Sequence, residues 1–163
     1  MCRSVVYQEH FEQLHPPLVG WHNASCPDYV AQEKLAFWPD ARRYEPGSLN
    51  LVGLAGLHAA LEMILELGID VIEQRVLGLA KLVVTEAQRC GFEVLGPELD
   101  SKWMSGIVFL LSEHHDLERL HAKLVQAHVI TSLRRRRDSV YCLRVSAHFY
   151  NQEQEIEQMM GQM

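Results

Sequence analysis

A two-layer α+β sandwich, in which helices cover a mostly antiparallel sheet, is the fold that this 163-residue sequence predicts. Three observations predict it. From Ser48 onward, apolar residues recur at three- and four-residue steps through two successive helix-length windows. Beyond them the pattern runs strand, strand, helix, strand, strand, helix, an order that favours antiparallel pairing with helices packed on a face. Ahead of them the chain is broken by Pro16, Pro17, Gly20, Pro27, Pro39 and Pro46, with Trp21, Phe37 and Trp38 between. Such punctuation predicts extended loops and at most a short helix around residues 8–14. Residues 1–47 therefore read as an irregular N-terminal arm and residues 48–163 as one domain.

Taken in order, Leu51, Leu54, Leu57, Leu61, Ile64 and Leu65 line one side of the first helix, and Gly68 ends it. Asp70, with Glu73 three residues on, has the pattern of a capping box that satisfies free N–H groups at the start of a second helix. That helix runs to Arg89, and Gly91 supplies the left-handed residue that closes it. Strands follow over 92–95 and 106–112, the second carrying the apolar run Ile107-Val108-Phe109-Leu110-Leu111. Leu117, Leu120 and Leu124 mark a third helix. Residues 129–133 and 140–145 read as a hairpin turned at Arg136-Arg137-Asp138. A last helix begins near Asn151 and turns Ile156, Met159 and Met160 inward.

Fifteen basic against twenty-one acidic residues leave a net charge of −6, which argues against nucleic acid or an anionic membrane as the partner. The basic run Arg134-Arg135-Arg136-Arg137 is short and sits at a hairpin tip, so it reads as a solvated turn. Cys2, Cys26, Cys90 and Cys142 form no CxxC pair, the usage of a reduced compartment. The first ten residues lack the apolar core of a signal peptide. The most apolar stretch carries His58, Glu62 and Glu66, which argues against a membrane span. A soluble, cytoplasmic protein is expected.

Two constellations have residue types suited to chemistry. Glu45-Pro46-Gly47-Ser48-Leu49-Asn50 sets a tight turn before a long helix, where free N–H groups and the positive end of the helix dipole meet. On spacing alone it is an anion site or, more plainly, Ser48 capping its own helix. Arg144 ends an apolar strand before the loop His148-Phe149-Tyr150 and has a planar fork suited to a carboxylate. The plainer reading pairs it with an acidic neighbour. His114, His121 and His128 recur at a seven-residue step along one helix. That step is about 10 Å of rise, too far for one ion, so no metal site is expected. No GxSxG is present, which sets a serine hydrolase aside.

Three stretches together resemble the class V aminotransferase family, the fold-type-I pyridoxal-phosphate enzymes that include cysteine desulfurases, selenocysteine lyases and isopenicillin-N epimerase-like proteins. Leu14-His15-Pro16-Pro17-Leu18-Val19-Gly20-Trp21 is similar to the loop that follows the family's cofactor lysine. Ala41-Arg42-Arg43-Tyr44-Glu45-Pro46-Gly47-Ser48-Leu49-Asn50 is similar to its R-F/Y-E-x-G-T-x-N element. Leu143-Arg144-Val145-Ser146-Ala147-His148-Phe149-Tyr150-Asn151 is similar to its closing strand and loop.

The resemblance implies pyridoxal phosphate as cofactor and an amino acid as substrate, on the small C-terminal domain of such an enzyme. Gly47 and Ser48 match the Gly-Thr pair that reaches across a dimer to the cofactor phosphate, with Ser keeping the hydroxyl. Arg144 matches the arginine that grips the substrate α-carboxylate, and His148 and Asn151 share its loop near the substrate. The departure is the Schiff-base lysine, which in the family lies upstream of the Pro16-Pro17 loop. Here Lys81 and Lys123 read as solvated helix faces, and Lys34 and Lys102 have no matching context. No catalytic residue is therefore assigned. The chain is expected to be a C-terminal part, inactive by itself, that forms a homo-oligomer or joins a polypeptide bearing the large domain. The alternative is a non-catalytic dimerisation or binding module, or an inactive remnant. Transamination, desulfuration, elimination and racemisation diverge in residues around the cofactor, most of which lie outside this stretch.

Overall fold

The computed structural model describes residues 6–25, 34–96 and 102–163. Cys2, Cys26, Pro27 and the first five residues lie outside that description. The chain divides into two compact units, Met1–Glu62 and Met63–Met163.

In the first unit the arm is held by specific contacts. The helix expected over 8–14 is a single 3-10 turn, Gln8–His10, followed by irregular turns. It leads to Phe11, which is buried and meets the Tyr44 ring edge-on with centroids 5.8 Å apart. Ala24 and Phe37 form an isolated antiparallel bridge. A second 3-10 turn, Ala41–Tyr44, opens on Asp40, whose carboxylate accepts the Arg42 backbone N–H at 3.0 Å. Helix α1 (Leu51–Leu67), which begins in the first unit and ends in the second, is the helix that periodicity predicts, yet none of its residues is buried. Its apolar side stands open, with Leu51 70% and Leu65 79% exposed.

The second unit contains α2 (Ile69–Arg89), β1 (Glu93–Leu95), β2 (Ile107–Leu111), α3 (Leu117–Gln126), β3 (Ser132–Arg135), β4 (Tyr141–Ser146) and α4 (Glu153–Met160). Its four strands form one antiparallel sheet in the order β1-β2-β4-β3. Because side chains alternate along a strand, register assigns the faces. Val108 faces Val145 and Leu110 faces Leu143, with Val94 and Leu133 beside them on the same side. These residues form one core with Leu79, Val83 and Ala87 of α2, Leu120 and Leu124 of α3, and Ile156 and Met159 of α4. Each fully buried Leu or Val adds about 1.5–3 kcal/mol. The helices thus cover one face, the two-layer α+β arrangement expected. Phe109, Arg144 and Ser132 lie in register on the other face.

Several local expectations need correction. Gly68, not Asp70, is the N-cap of α2, and its φ of +86° turns the chain out of α1. Asp70 sits inside the first turn, where its charge still meets the positive helix end. The strand expected over 129–133 begins only at Ser132, because α3 closes through His128 at φ +58° and the Val129 N–H bonds back to Leu124 O. Arg134 and Arg135 therefore belong to β3, and the turn begins at Arg136, whose N–H bonds Val140 O at 2.8 Å. Of the three spaced histidines only His121 lies on α3; His114 precedes it and His128 follows it. Gly91, at φ +84°, does close α2 as expected, with Phe92 N–H donating to Ala87 O. Among the described residues no single helix is long and apolar enough to cross a membrane.

Candidate functional site

In the first unit the turn before α1 is anchored from several sides. Arg42 makes a two-point ion pair with Asp40, at 2.7–3.0 Å, and lies over the Trp38 ring at 4.2 Å. Arg43 is mostly buried; it donates to Phe11 O at 3.3 Å and lies 3.8 Å from the Glu12 carboxylate. Tyr44 donates its hydroxyl to Leu14 O at 2.8 Å. Gly47 and Ser48 emerge beyond these anchors, both exposed, with no atom within 4 Å of where a Gly47 Cβ would stand.

Asn50, and not Ser48, caps α1. Its side-chain oxygen accepts the Gly53 N–H at 2.9 Å, while its carbonyl accepts the Leu54 N–H. An asparagine immediately before a periodic run is a readable cap signal. The Ser48 hydroxyl is left out of the cap, which removes the plainer of the two readings of this serine.

Arg144 sits mid-sheet on the face away from the helices, opposite Phe109 of β2 and Ser132 of β3. It is half-buried, donates weakly to Ser132 Oγ at 3.4 Å, and its buried Nε has no partner. Among the described residues no carboxylate pairs with it. A guanidinium has five donors, and a buried one left unmade costs about 1–3 kcal/mol. The acidic neighbour of the plainer reading is missing; the group is short of an acceptor.

The loop after β4 is built by Asn151. Its Oδ1 accepts the His148 N–H at 2.8 Å and its Nδ2 donates to Glu155 Oε2 at 3.2 Å. Both ends of this amide are used to shape the loop, whereas the His148 ring is exposed and stacks on Tyr150 at 4.5 Å. Arg75 of α2 holds the loop from behind, donating to Asn151 O at 2.7 Å and pairing with Glu153. Nothing in the sequence announced Arg75, because its contacts lie 76 and 78 positions away. Arg144, His148 and Asn151 thus share one strand-and-loop stretch of the second unit, while Gly47 and Ser48 belong to the first.

The electrostatics of this loop give a pH prediction. The Arg75 guanidinium holds the Glu153 carboxyl below the usual carboxylate range. The Gln152 N–H, with the Asn151 amide, does the same to Glu155. A depressed folded-state pKa contributes stability that is complete above the ordinary carboxylate value and disappears as pH falls through the folded one. Thermal melts taken from neutrality down through the carboxylate range should therefore lose less stability on the acid side in Arg75→Ala than in the wild type. Parallel curves would remove Arg75 from the acid-side linkage.

Lys34, Lys81, Lys102 and Lys123 are all on exposed positions. Lys123 Nζ donates to Gln162 O at 2.7 Å, and Lys102 stands over the Trp103 ring at 5.2 Å. The faces read for Lys81 and Lys123 are thus the ones they occupy.

The sequence matches the aminotransferase class-V family over residues 4–159. The chain belongs to the class-V aminotransferase family. It is 26% identical to a probable cysteine desulfurase of Pyrococcus abyssi (strain GE5 / Orsay), over 96% of this chain and 40% of that protein. The fold is that of the apo cysteine desulfurase of Thermococcus onnurineus NA1, with a TM-score of 0.82 at 22% identity over 94% of this chain and 39% of that one. A cysteine desulfurase of Escherichia coli superimposes with a TM-score of 0.79 at 19% identity, over 96% of this chain and 39% of its own. The C-DES protein, solved with glycine covalently linked to its pyridoxal-phosphate cofactor, gives 0.76 at 19% identity, over 96% and 39%. This class-V chain spans about 40% of the relatives it matches and corresponds to a C-terminal piece of them.

Pyridoxal phosphate, the family's cofactor, presents an anionic phosphate, a ring and an aldehyde that needs an amine. The residues here fit the first: an exposed glycine with open space beside it, next to a serine hydroxyl that its own helix does not use. Arg144 fits a carboxylate better than any part of the ring.

Proposed function

We propose that this chain is the C-terminal portion of a pyridoxal-phosphate-dependent class-V enzyme acting on an amino acid; desulfuration is the chemistry that the names of several similar proteins carry. The observation that carries this is Arg144, a half-buried guanidinium with a buried, unpaired Nε and no acid beside it among the described residues. An amino-acid α-carboxylate is the acceptor it lacks. In this reading Arg144 fixes the substrate by a charge-assisted fork, and His148 borders the same ligand. Asn151 acts by shaping the loop. The hydroxyl of Ser48 and the backbone at Gly47 take the cofactor phosphate. When bound, the cofactor supplies an electron sink for the substrate Cα. The Schiff-base lysine and the large domain come from outside these 163 residues, so the chain by itself is inactive. The setting is cytoplasmic, with neither nucleic acid nor membrane as partner.

The test is a visible spectrum of the purified chain with added pyridoxal phosphate, followed by borohydride reduction and intact mass. The expected result is no adduct confined to one lysine. A stable adduct mapping to a single lysine would place the amine within this chain and overturn the division of labour.

One observation favours the second reading, a dimerisation or binding module. The seventeen residues of α1 include none that is buried, and several large apolar side chains on it are open. Exposed apolar faces of this kind are usually covered by another surface. Light scattering on the isolated chain should show self-association at micromolar concentration; a single monomeric species across that range would count against it.

A further inference from the structure

We propose that Asn23 is a positioning residue for the loop of Gly47 and Ser48, an inference that rests on the phosphate-contact reading of that loop. Among the described residues of the first unit, Asn23 is polar and buried, with 0% exposure. A buried amide is tolerated only when it is hydrogen-bonded. Its Oδ1 accepts the Gly20 N–H at 2.9 Å, and its Nδ2 donates to Leu18 O at 2.8 Å and to Arg43 O at 3.0 Å. Both amide hydrogens and the oxygen are used. Its own carbonyl accepts the Trp38 N–H at 3.3 Å. One side chain therefore ties residues 18–20 to the segment that ends four residues before Gly47.

Gly20 carries the constraint onward. A Cβ at that position would stand 2.0 Å from Pro46 O and 2.8 Å from Pro46 C, so the Pro46 backbone rests directly on the glycine. His22 N–H also reaches Pro46 O, at 3.5 Å. Pro46 forms the peptide that enters Gly47, and Gly47 has no neighbour of its own within 4 Å of its Cβ direction. The loop is thus held from its ends. Asn23, through Gly20 and Arg43, fixes the entry, and Asn50, by capping α1, fixes the exit.

The experiment is amide NMR on the full chain, without ligand, comparing the wild type with Asn23→Asp and Gly20→Ala. Asp keeps the acceptor for Gly20 and loses both donors; Ala leaves Asn23 in place and drives a methyl into Pro46. In Asn23→Asp the heteronuclear NOE values of Gly47 and Ser48 should fall, with the amides of α2 and β4 unmoved. Unchanged values in a folded variant would overturn the proposal. Should Asn23→Asp unfold the first unit, Gly20→Ala decides. Displaced Gly47 and Ser48 amide shifts support the coupling, and undisturbed ones refute it. A second arm titrates inorganic phosphate. The wild type should respond at Gly47 and Ser48, with affinity roughly tenfold lower in the variants, the equivalent of one lost hydrogen bond. A wild type that ignores phosphate while the variants still loosen the loop would sink the phosphate reading and leave the positioning role supported.

Discussion

Replacing Arg144 by Ala is expected to weaken amino-acid binding in the assembled enzyme by about 1.5–3 kcal/mol, roughly ten- to a hundredfold. The reason lies in what the guanidinium lacks. Among the described residues its buried Nε has no partner, and its bond to Ser132 Oγ is long at 3.4 Å. A carboxylate would complete a fork that the fold leaves incomplete. The same geometry separates this role from a structural one. Because Arg144 has no ion pair among the described residues, its removal should leave the melting temperature of the chain unchanged or slightly higher. Arg144→Lys should recover only part of the affinity, since an ammonium keeps the charge but not the planar geometry. Substrate affinity unchanged in Arg144→Ala would rule out the carboxylate role.

Leu143→Ala should be the most damaging single change to the fold. Leu143 is 0% exposed and lies on β4, flanked across the sheet by Leu110 on one side and Leu133 on the other. Truncating such a residue removes its transfer free energy and leaves a cavity that β4, paired on both edges, cannot close. The expected loss is about 2–5 kcal/mol, a large share of the few kcal/mol that hold a domain together. Chemical denaturation followed by far-ultraviolet circular dichroism reads it out. A shift below about 1 kcal/mol would mean that the helix-covered face is not the core.

Much of the second unit was legible because its signals are local. The apolar run of β2, the three leucines of α3 and the inward residues Ile156, Met159 and Met160 of α4 each mark their element by period alone. Boundaries failed where a neighbouring hydrogen bond decided them. Val129 looked like a strand residue, but its N–H closes α3, so β3 starts at Ser132. Asp70 had the spacing of a cap, but the left-handed Gly68 already occupied that position.

The candidate site divides in the same way. That Arg144 and the loop of Gly47 and Ser48 carry the suitable donors could be read from the chain, since donor chemistry belongs to the residue. Which of them already has a partner could not. Ser48 is free of the cap only because Asn50 takes it, and Arg144 is short of an acceptor only because the register sets Phe109 and Ser132 beside it. Asn23 and Arg75 were invisible for a further reason. Asn23 bonds Arg43 O across 20 positions and Arg75 bonds Asn151 O across 76. Periodicity reports which face of an element is apolar, and it is set within a few residues. Satisfaction of a polar group is set by whatever the folded chain brings within about 3 Å. The sequence by itself therefore determined the elements, their order and the family; only the tertiary structure decided which polar groups remain available to a ligand.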